Sequence, residues 1–129
     1  MITLNDIYQK VCHVSGVDIL IDTRKQEVCD FRQIFMFLAR ELTSSTYEVI
    51  GGYVGKDHTT AMHACKKKVP NMLQTENDMK EIYKEIYEQI KLDEQIREEI
   101  KKNGHVKKYM RMTKKQLIEI IITWHTKSR

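Results

Sequence analysis

The chain has 129 residues, of which 41% are hydrophobic and 31% are charged, with one proline and five glycines. This composition is typical of a folded, helix-rich protein, and it disfavours both a disordered chain and a many-stranded β fold. No apolar run reaches the roughly 18 residues that a membrane span needs, and the N-terminus lacks a signal-peptide core. The three scattered cysteines indicate reduced thiols, so we expect a cytoplasmic protein.

The net charge of +4 is unevenly distributed. Residues 1–70 hold nine Lys/Arg against eight Asp/Glu, a balance of +1. Residues 71–100 hold four against nine (−5), and residues 101–129 hold nine against one (+8). The acidic and basic segments can pair with each other, or the basic end can be left free to bind phosphates.

Apolar residues at helical spacing predict a helix over 3–15, which Gly16 ends. The apolar piece "VDILID" then predicts either a brief helix or a buried connector, and "TRKQE" a polar loop. A second helix is predicted over 28–42, where an apolar stripe repeats at the same spacing.

The segment 46–69 has the pattern of a helix-turn-helix. "TYEVIGGYV" predicts a short helix over 46–54, glycines permit a tight turn, and a second helix is predicted over 57–69. That second helix would present Asp57, His58, Thr59 and Thr60 on its first turn, where side chains of a recognition helix meet base edges in the major groove. The alternative is that Asp57 and Thr60 only cap a helix and that His58 is solvated.

The segment after Pro70 changes character. Residues 75–102 predict one long amphipathic helix that Asn103 and Gly104 end, and a capping box opens a final helix over 114–125. We therefore predict a domain over 1–70 and a helical hairpin over 71–129, which docks on that domain, on a second copy as a dimer, or on a partner protein.

Other kinds of site find little support. His58, His63 and Cys65 lie on different faces of the predicted helix, and no CxxC or HExxH motif accompanies them, so no metal is expected. No catalytic constellation and no nucleotide-binding motif occur, so we expect neither an enzyme nor an ATP or other cofactor site.

The string "RQIFMFLARELTSSTYEVIGGYVGKDHTTAMHACKK" resembles the C-terminal DNA-binding domain of the bacterial replication initiator DnaA. That family carries "LARELT" followed by "GRDHTTVLHACRK", and the similarity covers residues 2–70. The resemblance implies an all-α fold of six helices with a helix-turn-helix of the DnaA C-terminal or Trp-repressor-like type. It also implies binding to double-stranded DNA at a short A·T-rich asymmetric site, the DnaA box.

The resemblance further implies the roles of individual residues. Arg24 matches the arginine that enters the minor groove, and Asp57, His58 and Thr59 match the major-groove contacts. The residues that match phosphate-side or supporting positions are Arg32, Arg40, Lys56, Thr60, His63 and Lys67.

Some positions depart from the family pattern. Tyr47 and Glu48 replace a leucine-proline pair, and the turn "VGKD" is one glycine shorter than "FGGRD". Asp22 and Glu27 also make the loop around Arg24 less basic. These departures predict a changed affinity or site preference.

Two functional hypotheses follow. The first is sequence-specific DNA binding in the control of replication initiation or of transcription, in the nucleoid and without ATPase activity. The second is an adaptor in which the DNA-binding domain is a relict and the C-terminal helices bind a partner protein.

Overall fold

The structure is a computed structural model that describes residues 1–103. Helices are the only regular elements in this part of the chain: α1 Leu4–Ser15, α2 Gln26–Leu42, α3 Tyr47–Tyr53, α4 His58–His63, α5 Val69–Thr75 and α6 Asn77–Asn103. A π-helical turn, Ala64–Lys68, joins α4 to α5. The all-α fold is therefore confirmed.

Local chemistry sets both ends of α1. Thr3 Oγ1 accepts a hydrogen bond from the backbone N–H of Asp6 at 3.2 Å, while Thr3 N–H donates to Asp6 Oδ2 at 2.9 Å. This reciprocal pair is a capping box, which satisfies donors that the first helical turn leaves unpaired. At the other end, Gly16 adopts φ 77° and donates its N–H to the Cys12 carbonyl oxygen at 2.9 Å.

The longest buried stripe of the fold lies on α2, and the other helices of the first compact unit pack around it. The segment "VDILID" before α2 forms no helix. Ile19 is fully buried, but Leu20 and Ile21 are exposed, so the segment is a connector anchored at one residue rather than a buried one. The buried apolar residues form one cluster: Ile7, Val11, Ile19, Phe31, Ile34, Phe35, Met36, Leu38, Ala39, Ile50, Val54, Ala61, Ala64, Cys65, Val69, Met72, Ile86 and Ile90.

Pro70 does not end the helix that begins at His58, contrary to the sequence prediction. The helical path continues through the π turn and α5 to Thr75. A proline in an α-helix loses one hydrogen bond and collides with the carbonyl four residues earlier. The wider π turn, closed by a hydrogen bond from Val69 N–H to the Ala64 carbonyl, lies directly before Pro70 and provides room for its ring.

The first compact unit of the chain is Met1–Ile90, and the second begins at Lys91. The first half of α6 thus belongs to the same unit as the helix-turn-helix, beyond the boundary at residue 70 that the sequence suggests. Ile86 and Ile90 are buried in its core, and the Tyr83 hydroxyl donates to Glu41 Oε2 of α2 at 2.8 Å. The turn and second helix of the predicted hairpin, residues 104–129, lie outside the described residues.

Candidate nucleic-acid interface

The helices α3 and α4 form the helix-turn-helix, and α2 supports both of them. Ile50 of α3 is fully buried, and the Tyr53 ring packs 5.3 Å from the ring of Phe35 and 5.8 Å from that of Tyr8. These contacts fix α3 to the core, so the turn after it starts from a rigid element.

Two glycines shape the turn between α3 and α4. Gly55 adopts φ 72°, a left-handed conformation that costs glycine little. At Gly51 the need is for space, because a Cβ atom there would lie 2.6 Å from the Asp57 carbonyl oxygen and 2.9 Å from that of Lys56. Lys56 also donates its N–H to the Gly51 carbonyl oxygen at 2.8 Å. The start of α4 is therefore seated directly on the backbone of α3.

Asp57 is the N-cap of α4. Its Oδ1 accepts a hydrogen bond from the backbone N–H of Thr60 at 2.8 Å. This bond, together with the Thr60 hydroxyl, lowers the pKa of the Asp57 carboxyl below its ordinary value. Asp57 is therefore an ionised acceptor at neutral pH, with one oxygen committed to the cap.

The other polar residues of the first turn are exposed, as a recognition helix requires. His58, Thr59 and Thr60 all lie at the surface, and Thr59 Oγ1 is 3.5 Å from His58 Nε2. Ala61 beneath them is fully buried and fastens this turn to the core. The structure thus brings the four expected major-groove residues together at one exposed helix end.

Arg40 lies on the last turn of α2, beside the start of α3. Its guanidinium is exposed, stacks 4.4 Å from the centre of the Tyr47 ring, and donates from Nη1 to the Ser45 carbonyl oxygen at 2.9 Å. The sequence analysis did not foresee this stacking, because Tyr47 stands where the family usually has leucine. The ring holds a cation at the exposed N-terminal end of α3.

The first turn of α3 also exposes one acidic and one apolar side chain. Glu48 is exposed on the first turn of the helix, and Val49 beside it is 53% exposed, an unusual state for a large apolar side chain.

The expected basic residues of the turn and of the following helix are exposed as well. These are Lys56, His63 and Lys67, together with Lys66 and Lys68 of the π turn.

Arg24 lies apart from these residues, in the loop between α1 and α2, and it is exposed. Its neighbour Thr23 accepts a hydrogen bond through Oγ1 from Lys25 N–H at 3.3 Å and accepts a weak contact through its carbonyl from Cys29 Sγ at 3.8 Å. These two contacts give the end of the loop directly before α2 a defined local structure.

The structure contradicts the expected phosphate contact of Arg32. This residue is only 6% exposed, and its guanidinium donates to two backbone carbonyls, Nε to Ile19 O at 3.0 Å and Nη2 to Ile21 O at 2.7 Å. The sequence carried a signal for this position that was missed. Arg32 follows Val28 by four residues and precedes Phe35 by three, so it lies on the buried stripe of α2.

No group of three or more His, Cys, Asp or Glu side chains in residues 1–103 is placed to hold a metal ion. Within the same residues, no helix is both long enough and apolar enough to cross a bilayer.

A comparison with protein-family models agrees with this geometry. Residues 4–67 match the family described as the bacterial DnaA protein helix-turn-helix. The matched range runs from the start of α1 into the π turn, and it holds every residue expected to contact DNA. Domains of this kind bind DNA and are not catalytic. Residues 4–67 of this chain therefore form a domain that is similar to the bacterial DnaA helix-turn-helix.

Proposed function

We propose that this chain binds double-stranded DNA at A·T-rich sites of the DnaA-box type, and that it acts in the nucleoid in the control of replication initiation or of transcription. The observation that carries the proposal is the first turn of α4, where Asp57, His58, Thr59 and Thr60 are consecutive, exposed and held on a rigid helix end. Binding of this kind needs no ATPase activity and no cofactor from the chain.

Each of these side chains suits a base edge in the major groove. The free oxygen of the ionised Asp57 can accept from cytosine N4, and a His58 ring N–H can donate to a purine N7. The methyl groups of Thr59 and Thr60 suit contact with a thymine methyl. The Asp57 cap already fixes the first turn of α4 in the free protein. DNA binding therefore costs little further conformational entropy at this turn.

Arg24 is assigned to the minor groove. A·T-rich minor grooves are narrow and strongly electronegative, so they attract an arginine side chain. Arg24 is exposed on a loop that precedes the long helix α2, as this role requires.

The remaining basic residues are assigned to the phosphates. Arg40, Lys56, His63 and Lys67 are exposed around the helix-turn-helix. Contacts of this type position a protein on DNA without reading its sequence. Glu48 lies among them and would face the phosphates, so we expect weaker binding, or a different preferred site, than a proline there would give.

The experiment is a titration of the full chain against a DnaA-box duplex and a scrambled duplex at several salt concentrations. We expect a gap of about 4 kcal/mol or more between the two duplexes. His58→Ala should cost about 1–3 kcal/mol on the box and little on the scrambled duplex. Equal affinity of the wild-type chain for both duplexes would contradict sequence-specific binding.

The exposed Glu48 carboxylate on the helix-turn-helix favours one alternative. If it removes DNA affinity altogether, the chain is an adaptor whose DNA-binding domain is a relict, with the segment 71–129 serving a partner protein or a second copy. The same titration separates the two functions, because an adaptor binds neither duplex at low salt.

A further inference from the structure

Contacts within the protein itself hold the loop that carries Arg24 in place. Arg32, from the first turns of α2, reaches back to the carbonyl oxygens of Ile19 and Ile21 at 3.0 and 2.7 Å. Its Nη1 lies 3.9 Å from Cys29 Sγ. The planar guanidinium therefore donates hydrogen bonds to the carbonyl oxygens of Ile19 and Ile21 at the same time. A lysine ammonium cannot form both hydrogen bonds in the same geometry.

A second set of contacts fixes the other end of the same loop. Asp18 Oδ1 accepts hydrogen bonds from the Tyr8 hydroxyl at 2.7 Å and from Leu20 N–H at 3.0 Å. Ile19 lies between Asp18 and Leu20, and its side chain is fully buried. The backbone from Asp18 to Ile21 is thus determined from both sides, by α1 and by α2.

Arg24 follows Ile21 by three residues and precedes the first residue of α2, Gln26, by two. A loop fixed at Ile21 and again at the start of α2 leaves Arg24 only a short stretch of chain in which to move. Without the two hydrogen bonds from Arg32, several more residues of this loop would have to become ordered when DNA binds. Each ordered residue costs conformational entropy that lowers affinity by about five- to thirtyfold.

We infer that Arg32 is a positioning residue for minor-groove recognition: it does not touch DNA, and it holds the 17–25 loop so that Arg24 is presented to the groove in advance. The inference rests on the proposed function, since it takes Arg24 as the minor-groove residue. It differs from the phosphate role that the family resemblance implies for Arg32, and it predicts a loss of specificity rather than a loss of charge contact.

The test compares two versions of the binding site that differ only in the minor groove. The A·T pairs of the Arg24 step are replaced by G·C pairs in one duplex and by inosine·cytosine pairs in the other. The two replacements present nearly the same major-groove edge, but only guanine places an amino group in the minor groove. The ratio of the two dissociation constants therefore measures minor-groove recognition by the full-length chain.

The wild-type chain should prefer the inosine duplex by about tenfold or more. Arg24→Ala should bring this ratio close to one. Arg32→Lys, which keeps the charge, should lower the ratio by about threefold or more. Arg32→Gln, which removes the charge, should leave the log–log salt slope unchanged, because Arg32 contacts no phosphate. In the double variant of Arg24→Ala and Arg32→Lys the ratio should fall no further than in Arg24→Ala alone. Arg97→Lys, a conservative change of an exposed arginine on α6, is the matched control and should keep the wild-type ratio.

An Arg32→Lys variant that folds, shows the circular dichroism of the wild type and keeps the full ratio would overturn the inference. A salt slope reduced by about one in Arg32→Gln, with an unchanged ratio, would do the same, because it would show that Arg32 contacts a phosphate. If Arg32→Lys does not fold, the ratio is also taken from Arg32→Gln. A wild-type ratio of one, or an Arg24→Ala variant that keeps the ratio, would instead refute the proposed minor-groove role of Arg24, and the inference would fall with it.

Discussion

The contact between Gly51 and the start of α4 allows a sharp test, because the chain has a matched glycine next to it. A methyl group at Gly51 would lie 2.6 Å from the Asp57 carbonyl oxygen, about 0.8 Å short of the 3.4 Å at which ordinary contact begins. The neighbours are backbone atoms, which cannot rotate away. At Gly52, in the same helix, a methyl group would meet nothing within 4 Å.

The magnitudes follow from two opposing effects. Replacing a helical glycine by alanine stabilises the folded state by about 0.5–1 kcal/mol, and this gain is available at both positions. Overpacking costs about 1–3 kcal/mol, and it applies at Gly51 alone. We therefore expect Gly52→Ala to raise the free energy of unfolding by about 0.5–1 kcal/mol. At Gly51 the obstructing atoms are backbone, so the upper part of the overpacking range applies, about 2–3 kcal/mol. After the gain is subtracted, Gly51→Ala should lower the free energy of unfolding by about 1–2.5 kcal/mol, a fall in Tm of about 4–20 °C for a unit of this size.

The assay is urea unfolding of both variants, followed by circular dichroism, together with titration against the DnaA-box duplex. Gly51→Ala must push the carbonyls of Lys56 and Asp57 away from α3, so it should also weaken specific binding. Gly52→Ala should bind like the wild type, because its methyl group meets no protein atom. A Gly51→Ala variant as stable as Gly52→Ala would show that α3 and the start of α4 do not approach this closely.

Four further changes test separate parts of the argument. Arg40→Ala should weaken binding to all duplexes alike and reduce the log–log salt slope by about one, and an unchanged slope would remove Arg40 from the interface. Glu48→Pro should tighten binding severalfold, because the change removes a negative charge and proline is tolerated on the first turn of a helix. Glu88→Gln on α6 is the control, and equal gains in affinity from both variants would show that Glu48 has no local role. The pKa of Asp57 is lowered in the folded state, so its stabilising effect is present above its ordinary value of 3.8 and is lost as the pH falls through the folded-state pKa. Asp57→Asn should therefore flatten the loss of stability on acidification below about pH 4, as urea unfolding across that range would show; parallel curves would contradict the cap. Ile86→Ala should cost about 2–5 kcal/mol in urea unfolding of the first unit, and a cost below 1 kcal/mol would place α6 outside the core.

Much of the local structure could be predicted from the sequence. Thr3 and Gly16 bound α1 because a capping box and a left-handed glycine act within a few residues of the chain. Asp57 caps α4 for the same reason, and this places the polar first turn at an exposed helix end. The exposed polar first turn of α4 was therefore foreseen from residues that are adjacent in sequence. The family resemblance supplied the proposal that this turn binds DNA.

Other features depend on contacts between residues that are distant in sequence, and only the tertiary structure decided them. Arg32 was expected to bind phosphate, but it turns inward because the loop carbonyls of Ile19 and Ile21 come within reach once Ile19 is buried. Pro70 was read as a boundary, but α5 continues past it because Val69 and Met72 are buried and the π turn accommodates the ring. In the same way, residues 77–90 join the first unit because Ile86 and Ile90 find their partners there. A pattern of apolar and charged side chains determines which face of a helix must be covered, whereas the choice of what covers it is made by packing across the whole fold.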